Sequence, residues 1–283
     1  MKTFSFFLLF LVVLVFADKA YHHTNYKFSK SKILYEYRNP PTSVTSQPPL
    51  TQEALDILAQ PFTFFSKGSQ AYAFLSADGQ YVLKILKQHK FHPRTHFAYV
   101  PFLPQHADYV HRKKKAEKAF RSFQNAASGF CKETGLLGIH LIPDPSWSKQ
   151  IVLIDKKGRE HLVDINKTSF ALQKKAELLY PTLTALMEKH DSASAKKRIN
   201  SLMLLLYSLA HQGVVDNDPI LRRNFGFVGD EAIQFDIGMF DIDPKRKGHI
   251  LSQEELLPVT RECLSWLDER YPELADYLRV QWL

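Results

Sequence analysis

Three aspartates and an asparagine, Asp216, Asp218, Asn224 and Asp236, stand close together in the chain, interleaved with apolar residues that read as half-buried. Carboxylates beside a core are costly unless they hold a cation or work as acid or base. The competing reading is a loop of turn-forming Asp and Asn that caps helices. A second group lies far upstream. Gly68, Ser69 and Gln70 interrupt an aromatic-rich run, and Lys84 sits inside Tyr81-Val82-Leu83-Lys84-Ile85-Leu86. Glu117 is the only acidic residue between Asp108 and Glu133. Each of these is ordinary alone. A lysine in an amphipathic strand is a solvated face, a glycine before serine is a turn, and Glu117 is an i,i+4 partner for Arg121.

The elements that must position these residues are legible in outline. Thr51-Gln52-Glu53-Ala54 opens an apolar-periodic segment and predicts a capped helix. Residues 62–87, broken by Gly68 and by Asp78-Gly79, carry the strand–turn–strand pattern of a hairpin. Residues 88–108, rich in His and Pro, read as a long loop. A helix is predicted over 109–128, with Ala116, Phe120, Phe123 and Ala127 on one side. Strands are predicted from Gln150 to Asp155 and from Glu160 to Ile165, joined by Lys156-Lys157-Gly158. The remainder reads as mainly helical: 170–189, 195–211 and 254–281. A strand-rich part followed by a helix-rich part is an α+β pattern of two lobes, not alternating βαβ units.

In that order, the chemistry-bearing residues resemble the eukaryotic-type protein kinases. Ser208-Leu209-Ala210-His211-Gln212-Gly213-Val214-Val215-Asp216-Asn217-Asp218 is similar to the long helix and catalytic loop of that family. The resemblance gives Asp218 the place of the catalytic aspartate, Asn224 that of the metal-binding asparagine, and Asp236-Ile237-Gly238 that of Asp-Phe-Gly. The interval from Asp218 to Asn224 is one residue longer than the family's, which keeps Asp216 as a second candidate for the base. Phe65-Ser66-Lys67-Gly68-Ser69-Gln70-Ala71-Tyr72-Ala73-Phe74 resembles the glycine-rich loop, with only Gly68 kept, and residues 81–86 resemble the Val-Ala-Ile-Lys strand. Lys84 would then hold ATP phosphates with Gly68, Ser69 and Gln70, and Glu117 would orient its ammonium. Asn224 and Asp236 would hold Mg²⁺ or Mn²⁺. The family implies a two-lobed fold with a small antiparallel β N-lobe (51–165) and a reduced, mainly helical C-lobe (166–283). It implies ATP-dependent transfer to a protein or small-molecule hydroxyl. The depleted glycine loop and the absence of the His-Arg of the catalytic loop favour the alternative, an inactive pseudokinase that binds nucleotide or another protein.

The rest of the chain sets bounds. Its 283 residues are 45% hydrophobic and 23% charged, enough for one large domain or two lobes, which excludes disorder as the main theme. The net charge of +8 marks an affinity for anions without naming one. Residues 1–17, with an apolar run from Phe4 to Phe16, read as a secretory signal peptide too short to span a bilayer. The mature chain is therefore expected to be exported with no stable membrane span, and either it is delivered onward to a compartment that holds ATP, such as a host cell, or it is not an active kinase. Residues 18–50, with Pro40, Pro41, Pro48 and Pro49, read as a linker. Cys131 and Cys263 match no metal-ligand spacing and allow at most one disulfide. His111-Arg112-Lys113-Lys114-Lys115 carries no interleaved aromatics and reads as a solvated helix start, not a nucleic-acid surface. Asp243 to Glu254 has an EF-hand outline, but Lys245 and Lys247 stand where calcium needs oxygens.

Overall fold

A computed structural model describes residues 28–34, 47–90, 104–144, 148–216 and 219–283. The strand-rich part begins at helix α1 (Gln52–Ile57), whose first turn is capped by Thr51 accepting from the Ala54 amide at 3.2 Å. Strands β1 (Phe62–Lys67), β2 (Ala71–Ser76) and β3 (Tyr81–Leu86) then form an antiparallel meander. A register shift between Phe64 and Ser66 leaves Phe65 exposed. The β2–β3 turn follows its sequence: Gly79 takes φ +73°, and the Asp78 carboxylate accepts from Ser76 Oγ and from the Gln80 amide.

Helix α2 (Pro104–Ala127) starts earlier than residue 109, and Pro104 suits a first helical turn because its missing N–H would have had no partner. Its basic run 111–115 is mostly exposed, and Ala116, Ala119, Phe120, Phe123 and Ala126 are buried. Short helix α3 (Cys131–Thr134) leads through Gly135 at φ +64° into β4 (Leu136–His140). Strands β5 (Gln150–Ile154) and β6 (Glu160–Asp164) form a hairpin, and Asp155 holds its turn by accepting from the Lys157 and Arg159 amides.

Residues 170–189 were expected as one helix and are not. They form β7 (Phe170–Lys174), the short β8 (Glu177–Leu178) and helix α4 (Leu179–Glu188). The reason is burial: β7 lies between β3 and β4, so Phe170, Ala171, Leu172 and Gln173 are buried on both faces. A strand buried on both faces loses the alternation that would identify it. The sheet therefore has the order β4-β7-β3-β2-β1-β5-β6 and extends past residue 165 to Lys174. The β5–β6 hairpin joins it through a parallel pairing of Phe62 with Leu153.

The second lobe is built on helix α5 (Ser192–His211), capped by Asp191 and packed through Ile199, Leu202, Met203 and Leu206. It also contains strands the sequence did not announce: β9 (Gln212–Asp216), then helix α6 (Leu221–Asn224), β10 (Phe225–Val228), β11 (Glu231–Gln234) and β12 (Phe240–Lys247). The β12 strand runs through Lys245, so the EF-hand outline is not a loop. The closing helix of 254–281 is two helices, α7 (Gln253–Arg270) and α8 (Pro272–Trp282), divided at Tyr271, which precedes Pro272 and leaves the helical region at φ −142° and ψ 67°. Both cysteines are free thiols.

Part of the 18–50 segment packs on the first lobe: Ile33 is fully buried, and Phe28 meets Tyr72 and Phe74 edge-on at 5.4 and 5.1 Å. The architecture is α+β and two-lobed in a protein-kinase-like arrangement, a sheet-built N-lobe above a mainly helical C-lobe. Among the described residues no helix is long and apolar enough to cross a membrane. The proposed signal peptide lies outside the described residues.

Candidate functional site

Three backbone features of the first lobe set the upper side of the site. The β1–β2 turn is closed by the Gly68 amide donating to Ala71 O at 3.0 Å. A Cβ on Gly68 would meet nothing nearer than Ala71 O at 3.9 Å, so packing at the turn does not itself demand glycine. Its carbonyls are occupied by lysines that sequence reasoning missed. Lys87 Nζ donates to Gly68 O and Lys90 Nζ to Ser69 O, each at 2.5 Å, while the Lys87 amide donates to Gln70 O at 2.8 Å. Lys87 also lies over the Tyr72 ring at 4.5 Å. Burial first, and the neighbouring Lys90, Lys67 and Lys32 second, lower the Lys87 ammonium to about 8.

The lower side comes from the antiparallel β9–β12 pair and the β10–β11 hairpin. Phe240 faces Asp216 across the first pair, and Gln234 faces Phe225 across the second. Gly213 is required here: it has φ +82°, and a Cβ would lie 2.7 Å from Asp243 O. Asn224 is buried at the end of α6, and its carbonyl accepts from the amides of Phe235 and Asp236 at 2.9 and 3.3 Å. Gln234, only 1% exposed, donates from Nε2 to Asp216 Oδ2 at 2.7 Å and to Asp236 O at 3.4 Å. Asp236 is exposed, with Oδ1 accepting from the Gly238 amide at 3.1 Å. Asp216, Asn224 and Asp236 are thus joined through one glutamine and one backbone carbonyl. A polar residue at a buried strand position, between Ile233 and Phe235, was the available signal for Gln234.

Lys84 links the two sides. Its ammonium donates to Phe235 O at 2.5 Å and stands 5.5 Å from the Phe235 ring centroid. Burial pushes its pKa below the ordinary lysine value and the Asp236 carboxylate pulls it back up. Glu117 is half-buried on α2, and no ion pair joins it to Lys84. The contact from α2 is made instead by Ser122, buried with Oγ 2.6 Å from Ile237 O and 2.7 Å from Phe240 O. Ser122 thus ties the helix to the Asp236-Ile237-Gly238 segment, another link sequence reasoning missed. Gln70 reaches the same segment from the turn, since a Cβ on Gly238 would lie 3.4 Å from both Gln70 Oε1 and Asp236 Oδ1. Ser69 is exposed, and Asp218 lies outside the described residues.

Gln70 Oε1 and Gln234 Oε1 are buried with no hydrogen-bond partner. Among the described residues no three His, Cys, Asp or Glu side chains group as metal ligands. A cation here would therefore draw on a carboxylate and amide oxygens, a hard oxygen set that suits Mg²⁺ or Mn²⁺ with phosphate and water completing the shell.

No family model matches the chain, and no curated protein matches it. Solved structures do. The bifunctional kinase-methyltransferase WbdD is similar at 14% identity and a TM-score of 0.30, over 70% of this chain and 33% of that one. Monomeric WbdD gives 13% identity and a TM-score of 0.34, over 73% of this chain and 41% of that one. Rv3197 of Mycobacterium tuberculosis, solved with erythromycin, gives 13% identity and a TM-score of 0.38, over 92% and 62%. The chain spans about a third of the length of the first.

Proposed function

We propose that the chain is an exported protein-kinase-like phosphotransferase that moves the γ-phosphoryl group of ATP to a hydroxyl on a protein or small-molecule acceptor. The observation that carries the reading is the meeting of Lys84, from a strand of the first lobe, with Phe235-Asp236 of the second. Phosphoryl transfer is mostly positioning and charge neutralisation, so a lysine and a carboxylate converging from two lobes are the parts it needs. Lys84 would hold the triphosphate under the Gly68, Ser69 and Gln70 turn. Asp236 and Asn224 would hold Mg²⁺ or Mn²⁺, which when bound neutralises charge on the phosphate oxygens. Asp218 would orient the acceptor hydroxyl, and Asp216, fixed by Gln234, is the second candidate for that role. Glu117 would take part only if the cleft closes to bring it to Lys84. Export through residues 1–17 would require delivery to a compartment that holds ATP.

A second reading is an inactive nucleotide-binding or protein-interaction module, and one observation favours it: the Lys84 ammonium donates to Phe235 O and is not paired with Glu117. The two separate on incubating the mature chain with labelled ATP and Mg²⁺ or Mn²⁺ over a broad acceptor panel, beside Asp236→Ala. Transfer by the parent and its loss in Asp236→Ala is the expected result. Nucleotide binding without transfer in either chain would replace the enzyme with the module.

A further inference from the structure

We infer that Gln70 is a ligand, from the turn above, of a divalent cation seated on Asp236, so that the cation ties the β1–β2 turn to the Asp236-Ile237-Gly238 segment. The inference rests on the phosphotransferase reading for the seat of the ion, and adds the glutamine and the tether. Gln70 Oε1 is buried and unpartnered, and a buried carbonyl oxygen without a partner is costly. It shares its surroundings with Asp236 Oδ1, both lying 3.4 Å from the same point above Gly238. Asp236 Oδ1 accepts from the Gly238 amide at 3.1 Å, and a carboxylate oxygen has a further lone pair to offer a cation.

The Lys84 ammonium faces the Asp236 carboxylate, but none of the neighbouring lysines donates to Gln70 Oε1. Lys84 donates to Phe235 O, Lys87 to Gly68 O and Lys90 to Ser69 O. A second buried oxygen, Gln234 Oε1, is also unpartnered, and its amide is held by Asp216 Oδ2. The residue beneath the two oxygens is glycine, and a Cβ there would touch both at 3.4 Å. One carboxylate and amide oxygens leave room for water and phosphate, the arrangement that Mg²⁺ and Mn²⁺ accept.

The test is a titration of the mature chain with Mn²⁺ alone, following free Mn²⁺ by electron paramagnetic resonance, with thermal melts to show that each variant is folded. Gln70→Ala should raise the dissociation constant by about tenfold or more, the scale for removing groups that support a metal site. Gln70→Glu should lower it, because a second carboxylate then faces Asp236, and Asp236→Asn should remove the site. A parent that leaves Mn²⁺ free overturns the inference, as do Ala and Glu variants that bind like the parent. Gln70-dependent Mn²⁺ binding without label transfer would sink the phosphotransferase reading and leave the tether. Label transfer with Gln70-independent Mn²⁺ binding would do the reverse.

Discussion

Lys84 is the residue on which structure and the proposed function pull in opposite directions. A lysine in a buried strand is penalised by desolvation, and here it recovers only one carbonyl, an aromatic face and the attraction of Asp236. Lys84→Met keeps the length of the side chain and removes the charge. It should leave the fold as stable, or up to about 2 kcal/mol more stable, while abolishing nucleotide binding. Urea unfolding beside a nucleotide titration checks both halves, and loss of stability together with binding would make Lys84 a structural residue only. Lys84 and Asp236 were legible in the sequence because their order along the chain was distinctive. Gln234, Ser122 and Lys87 were not, because each acts through a backbone carbonyl or a distant side chain, and such partners exist only once the chain is folded.

At the scale of elements, the sequence disclosed those with one apolar face or with turn residues at their ends. Helices α2 and α5 show such a face, and the β1–β3 meander was legible from Gly68 and Asp78-Gly79 although Tyr72, Ala73 and Phe74 are buried in succession; β7, buried on both faces, read as helix. The small strands of the second lobe escaped because pairing, not side-chain pattern, makes them. Gly226 illustrates this. It pairs with Leu178, and a Cβ on it would lie 2.3 Å from Glu177 O, a backbone atom that cannot rotate away. Gly226→Ala must part β10 from β8 and should cost about 1–3 kcal/mol, read as a lower urea midpoint. Gly68→Ala, which meets nothing closer than 3.9 Å, should leave that midpoint nearly unchanged. Equal effects at the two glycines would mean that the close approach at Gly226 relaxes freely.

For the whole molecule, the two-lobed order was legible from strands preceding helices, whereas the packing of Phe28 and Ile33 on the first lobe was not. Both lie in a polar, proline-bearing stretch whose composition masks single buried residues. The charge surplus, too, acquires a place only in the fold, where Lys32, Lys67 and Lys90 lie close enough to disfavour the charge on Lys87. Lys87 falls to about 8 in the folded chain from an ordinary 10.5, so between these values the unfolded chain binds more protons. Its contribution to stability must therefore rise with pH across that window, by at most about 1.4 kcal/mol per pH unit, the limit for one proton. Cys263 acts in the opposite sense, because burial holds its thiol protonated up to about 12 while the unfolded thiol ionises near 9.0. The parent's own pH profile mixes these with other shifted groups, Lys84, Lys90 and Tyr180 among them, and the difference between parent and Lys87→Met isolates Lys87. That difference should move in the parent's favour as pH rises from 8 to 10.5 and stay flat below 8. Urea unfolding of both chains across this range decides it, since a difference that does not change with pH would mean that Lys87 keeps its ordinary proton affinity in the fold.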